Sequence, residues 1–204
     1  MILAIDTSTS ACTAALFAVN GSLVARADEV IDRGHAERLA PLIAEMLGGH
    51  VPTTILVGVG PGSFTGLRIG VACAHGMAVG WDIPVLGMDS LALLAAGAPG
   101  DGPVAVAVNG GHGEIFVAQY RRPDFKLTEA FANLHPAAAA AARIDAPLVV
   151  GNSAAALVAA RGSGEAVDLL PAAANALALP LALRTLAPSP IYARPPDAIP
   201  AAAA

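Results

Sequence analysis

The chain has little of what several common chemistries require. Its 204 residues include two cysteines, Cys12 and Cys73, and they form no CxxC pair, so neither a disulfide framework nor a zinc pattern is present. No HExxH occurs; His112-Gly113-Glu114 comes nearest, with the wrong order and no second histidine. Ser63, Ser90 and Ser153 stand outside any GxSxG elbow, which removes the signature of a serine hydrolase. Charge is scarce too: 13% of residues are Asp, Glu, Lys or Arg, and the net charge is −5. That excludes a broad basic face for nucleic acid, so any RNA contact is local or made by a partner. Uncharged, mostly apolar stretches such as residues 169–183 and 146–160 fall short of the roughly 18–20 apolar residues of a spanning helix. The start, "MILAIDTSTS", lacks a positive flank and carries Asp6, unlike a secretory signal. A cytoplasmic protein with no membrane association is the expectation.

What is present is apolar: 55% of the residues are hydrophobic, enough for a real core, although much of the mean hydropathy of +0.64 comes from alanine-rich runs such as "PAAAAAA". Residues 1–5, 12–19 and 22–30 read as a three-stranded meander, with Asn20-Gly21 as a tight turn. In "HAERLAPLIAEML" the residues Leu39, Leu42, Ile43, Met46 and Leu47 recur on one helical face, and Gly48-Gly49 ends the helix. Pro41 implies that this helix is kinked there or begins there. "TILVGV" reads as a buried strand, residues 64–79 as a second helix, 85–88 as a strand and 90–96 as a helix. "APGDGP", residues 98–103, is the best boundary. Beyond it "VAVAVN" and "EIFVAQYR" are strands joined by "GGHG"; 135–143, 153–161 and 172–186 read as helices, the last with a break at Pro180, and 148–151 as a strand. The tail from residue 188 reads as extended. A meander followed by alternating strands and helices predicts an α/β architecture with mixed sheets.

Two features leave alternatives open. "GPGSFTGLRIG", residues 60–70, is no Walker A motif, because Gly66 is followed by Leu67 and Arg68 instead of lysine and a hydroxyl residue. It is either a tight strand-to-helix turn or an anion loop built on amides near Ser63, Thr65 and Arg68. Asp6, with the hydroxyls after it, either positions a metal beside such a loop or forms an Asx-type turn. The helix that follows carries Gly66, Gly70, Gly76 and Gly80. So many glycines imply that another backbone comes close, from within the chain or from a partner.

The stretches "ILAIDTSTSACTAAL", "HAERLAPLIAEML", "GVGPGSFTGLRIG", "GEIFVAQY" and "PIYAR" together resemble the bacterial TsaB (YeaZ) family. The resemblance implies the actin-like ATPase fold of sugar kinases and Hsp70, with two related lobes: residues 1–100, and a reduced second lobe over 101–187, with 188–204 returning to the first or trailing. It implies a non-catalytic subunit that binds and activates the paralogue TsaD in making threonylcarbamoyladenosine in tRNA. TsaE, an ATPase, joins the assembly; ATP and magnesium are used by the partners, tRNA is met through the complex, and the isolated chain forms a homodimer with no cofactor of its own. The partner surface is expected on Leu39, Leu42, Ile43, Met46, Gly66, Ile69, Gly70 and Cys73, with Arg68 at its edge. A bulky charge at Gly70 or Leu42 should then abolish partner binding in a folded chain. Asp6, Thr7, Ser8, Gly62, Ser63 and Thr65 form the residual anion or nucleotide loop. No two of the histidines are four apart, so the HxxxH metal motif of the TsaD paralogue is absent, and the chain departs from its own family where "NGGHGEIF" replaces the usual "DARRGEVY", putting Asn109 and Gly111 where an acidic and a basic residue are expected. The rivals are a stand-alone ATP-dependent enzyme of the kinase fold, a glycoprotease-like peptidase and a homodimeric binding protein outside tRNA metabolism.

Overall fold

The computed structural model describes residues 1–130 and 135–192. Strands β1 (Ile2–Asp6), β2 (Ala11–Phe17) and β3 (Leu23–Val30) form the expected antiparallel meander. Helix α1 (His35–Leu47) then leads to β4 (Thr54–Gly60), α2 (Phe64–Trp81), β5 (Val85–Asp89) and α3 (Ser90–Ala96). β4 pairs parallel with β1, and β5 parallel with β4, giving the order β3-β2-β1-β4-β5.

The second half repeats this plan. β6 (Val104–Gly111), β7 (Glu114–Arg121) and β8 (Lys126–Ala130) are an antiparallel meander; β10 (Leu148–Val150) joins β6 in parallel and β11 (Glu165–Val167) joins β10. The order β11-β10-β6-β7-β8 is the first sheet's order reversed in listing and equivalent in topology. The helices keep their places: α4 (Ala137–Ala141), preceded by the two-residue β9 (His135–Pro136), corresponds to α1, and α5 (Ala154–Arg161) to α2. Two copies of one βββαβα plan make this the actin-like fold, with the second copy shortened.

Both faces of the first sheet are covered, which is why every residue of β2 is buried. Leu3, Ile5, Cys12, Leu16, Ile55 and Val57 point toward α1 and α2. The alternate residues Ala4, Ala15, Phe17 and Leu56 share a second core with α3 and with Val104, Val106, Val108, Phe116 and Tyr120 of the other sheet. One continuous core thus joins the lobes. The "APGDGP" loop between them is tied down by Arg122, whose guanidinium donates to the carbonyls of Ala98 (2.7 Å), Gly102 (2.9 Å) and Pro99 (3.0 Å).

α1 runs unbroken through Pro41, which lies on its exposed side, away from the core. Residues 172–186 break at Pro180 as expected, but the piece before it is a 3₁₀ turn (Ala173–Ala178) instead of an α-helix, followed by the short α6 (Leu181–Arg184). The chain is already back on the first sheet at that turn, where Ala173 donates its amide to Thr13 Oγ1 at 2.9 Å. It then bridges Gly87 through Leu186 and reaches the Val59 carbonyl through the amide of Ile191. β8 and β11 were not anticipated; both are short edge strands with weak patterns. Residues 135–143 hold α4 preceded by β9 instead of one helix. The remainder of the expected extended tail, and the last two residues of "PIYAR", lie outside the described residues. Among the described residues no helix is long and apolar enough to cross a membrane.

Candidate functional site

α1 and α2 pack side by side on one face of the first sheet. The apolar stripe of α1 points inward: Leu39, Leu42 and Ile43 are at most 3% exposed. On α2 the inward residues are Leu67, Val71, Ala74 and Ala78. Leu39, Leu42 and Ile43 therefore belong to this chain's own core and cannot be first contacts for a partner. Met46, Ile69 and Cys73 are half-buried and packed against that core, and Arg68 is exposed.

The glycine seam divides in two. A Cβ on Gly66 would collide with the Thr7 carbonyl oxygen, and one on Gly70 with Thr7 Oγ1, so these glycines admit the chain's own β1–β2 turn. Gly76 and Gly80 have no atom within 4 Å of their Cβ positions and face open space. A charge at Gly70 or Leu42 would thus disrupt the fold of the isolated chain, contrary to the expectation that it stays folded. The exposed residues of the helix pair include Ala36, Ala40, Pro41 and Ala44 on α1 and Ala72, Gly76, Val79 and Gly80 on α2, with Glu37, Glu45, Phe64, Arg68 and His75 among them. Val79 is 84% exposed. Arg38 fixes the far side of α1 with a two-pronged bond to Glu29 of β3 (2.6 and 2.7 Å) and another to Glu45 (2.9 Å).

The proposed anion-loop residues do come together, but largely to bind one another. Asp6 is completely buried; its Oδ1 accepts the amide (2.8 Å) and hydroxyl (2.7 Å) of Ser8, and its Oδ2 accepts the Ser90 hydroxyl at 2.7 Å. Ser90 Oγ in turn accepts the Gly60 amide at 3.1 Å. The Ser63 amide donates to the Ser8 carbonyl (2.7 Å), and Ser63 Oγ caps α2 by accepting the Gly66 amide (3.2 Å). Gly62 presses on Ser8, where a Cβ would overlap its backbone, and Gly60 takes a φ of 101° to start the turn. Thr65 and Ser63 are exposed and line a cleft of about 540 Å³ with Ser8, Arg33, His35, Glu37 and Asn109. Across that cleft the β6–β7 hairpin bonds to itself and its neighbour: Asn109 Oδ1 accepts the Gly111 amide (2.8 Å), and the Asn109 amide donates to Asn152 Oδ1 (2.9 Å).

Burial raises the pKa of Asp6 above its ordinary 3.8, against the lowering effect of the Ser8 and Ser90 hydrogen bonds. The folded chain therefore keeps this proton at pH values where the unfolded chain has lost it, and stability falls as pH rises from 3.8 through the folded value. Asp89, also buried and raised, adds a slope of the same sign. Asp6→Asn keeps the shape and is expected to flatten the decline without abolishing it; urea titrations across the acid range check this, and an unchanged slope would contradict it. The thiols are not poised for reaction: burial pushes Cys12 up to about 11 and also raises Cys73. Among the described residues no group of three His, Cys, Asp or Glu side chains could hold a metal.

Ser90 and Gly58 are the members of the network that sequence reasoning missed. A Cβ on Gly58 would overlap Asp6 Oδ2 and crowd Ser90 Oγ at 2.9 Å. The signal was a glycine inside the buried run "TILVGVG", which marks a close approach of another group.

The family model for TsaD, tRNA N6-adenosine threonylcarbamoyltransferase, matches residues 27–190. The tRNA threonylcarbamoyladenosine biosynthesis protein TsaB of Escherichia coli is 39% identical over 131 residues, covering 60% of this chain and 56% of its own. Its counterpart from Haemophilus influenzae is 39% identical over 102 residues, covering 48% and 42%. The chain thus spans about half the length of these curated relatives. The solved structure of YeaZ from Pseudomonas aeruginosa superposes with a TM-score of 0.71 at 31% identity, over 87% of this chain and 89% of that one. With the doubled βββαβα plan, the helix pair over the first sheet and these matches across both lobes, the chain belongs to the TsaB (YeaZ) family.

Proposed function

We propose that this chain is a non-catalytic cytoplasmic subunit that binds and activates the TsaD paralogue in threonylcarbamoyl transfer to tRNA adenosine, using the outer face of α1 and α2. The observation that carries this reading is a run of small residues on the exposed side of the helix pair, Ala36, Ala40 and Ala44 on α1 and Gly76 and Gly80 of α2 facing open space, bordered by Glu37, Arg68 and His75. Glycine within an exposed helix costs about 0.5–1 kcal/mol relative to alanine. A close helix–helix approach by a partner of the same fold offsets that cost, because small residues let backbones come near. Ile69, Cys73 and Met46 then form the floor of the contact and Arg68 its polar edge. The same face serves a homodimer in the absence of TsaD, with TsaE and tRNA met only through the complex.

A nucleotide–magnesium site does not fit the residues present. Both Asp6 oxygens are engaged and sealed from solvent, and the hairpin at Asn109 is bonded to itself and to Asn152. ATP and magnesium are accordingly used by the partners. A kinase reading would need an open carboxylate at Asp6, and a peptidase reading would need a nucleophile with its base.

Reconstitution tests the proposal. TsaD and TsaE, with tRNA, threonylcarbamoyladenylate and ATP, are expected to form threonylcarbamoyladenosine at least about tenfold faster when this chain is added, an increment of about 1.4 kcal/mol in the barrier. No acceleration and no co-purification with TsaD would overturn the proposal, and micromolar Mg-ATP binding with turnover by the isolated chain would restore the kinase.

A further inference from the structure

We infer that Thr7, braced by the Asp6–Ser8–Ser90 network, is a positioning residue that sets where the N-terminal half of α2 sits and hence the shape of the partner face; this rests on the proposed role of α1 and α2. Its hydroxyl donates to the Gly66 carbonyl at 2.7 Å from a fully buried position. Its carbonyl oxygen and Oγ1 fill the spaces that side chains at positions 66 and 70 would take. Beside the packing of Leu67 and Val71 into the core, α2 thus meets Thr7 at both glycines of its first two turns.

That residue is itself immobilised from both sides. Asp6 grips Ser8 through its amide and hydroxyl and reaches across to Ser90, which holds the Gly60 amide at the start of the turn into α2. The Ser63 amide closes the loop onto the Ser8 carbonyl. The bonds thus run from the end of β1, around the turn, to both ends of the β4–α2 connection. In an aspartate left free to meet a ligand these oxygens would be open. Here they are all directed at the support for α2. Ala72 and Gly76 are exposed on the same helix, so a shift of α2 on its support displaces residues that a partner would touch.

Thr7→Val removes the hydroxyl at constant shape, and Thr7→Ser retains it. With the full chain and TsaD, Thr7→Val is expected to weaken the dissociation constant about tenfold, the scale of one buried hydrogen bond, in a chain whose melting shows it folded at the assay temperature. Thr7→Ser should stay within about twofold of wild type. Amide exchange in the first two turns of α2 should rise in Thr7→Val and not in Thr7→Ser, a local readout that a uniform loss of stability would not give. Ser90→Ala loosens the same network from α3 and should reproduce the pattern should Thr7→Val fail to fold. Wild-type affinity with wild-type exchange in Thr7→Val would overturn the inference. If wild-type chain does not bind TsaD at all, the partner reading fails, and the exchange data alone then decide whether Thr7 positions α2.

Discussion

Gly58→Ala is expected to lower the stability of the isolated chain by about 4 kcal/mol, or its Tm by roughly 10 °C for a domain of this size. A single methyl in a strand is usually tolerated, and the φ at Gly58 is not one that demands glycine. The cost comes from the neighbour. The added carbon would occupy the space of Asp6 Oδ2, and that oxygen cannot swing away, because Asp6 is completely buried and bonded to Ser8 and Ser90. Either the strand shifts or the network breaks, and breaking it strands the Gly60 amide and a carboxyl oxygen without partners. Gly76→Ala is the internal control. It meets nothing within 4 Å and sits in a helix, so it should raise stability by about 0.5–1 kcal/mol. Calorimetric melting of both variants checks the pair, and a Gly58→Ala chain that melts with wild type would refute the overlap argument.

Gly76→Arg is expected to leave the isolated chain as stable as wild type and to weaken TsaD binding by more than about 100-fold, or roughly 3 kcal/mol. Arginine is a better helix former than glycine and has open space here, so the fold has no reason to object. A helix approaching within backbone-contact distance has no room for it. The same charge at Gly70 or Leu42 gives the opposite pattern, a damaged monomer, because both positions are filled from inside the chain. Titration of TsaD with the folded Gly76→Arg chain settles the matter: undiminished affinity would remove the outer face of α2 from the interface.

Much of the fold was legible along the chain. The three-strand meander, the stripe on α1, the buried run of β4 and the helix after "GPGSFTGLRIG" all carry local periodicity or turn chemistry that specifies them. Other features were not legible. β11 is three residues long and mostly exposed, too short to show a period. In residues 172–186 the break at Pro180 was legible, but not that the piece before it, with Ala173 and Ala176 packed into the shared core, winds as a 3₁₀ turn. The apolar stripe Leu39, Leu42 and Ile43 was visible as a stripe, but periodicity cannot tell whether it faces a partner or the chain's own sheet.

The same limit applied to the glycines. Sequence alone determined that α2 must be approached closely, since four glycines and several alanines in one helix leave its surface bare, and that "GPGSFTGLRIG" cannot be a Walker A loop without its lysine. Only the tertiary structure decided what makes each approach. Gly66 and Gly70 meet Thr7, fifty-nine residues and more away in the chain, while Gly76 and Gly80 meet nothing. It likewise decided that Asp6 holds Ser8 and Ser90. Local sequence fixes backbone propensities over a few residues. The atom that fills the space beside a missing side chain comes from wherever the sheet order brings the chain back.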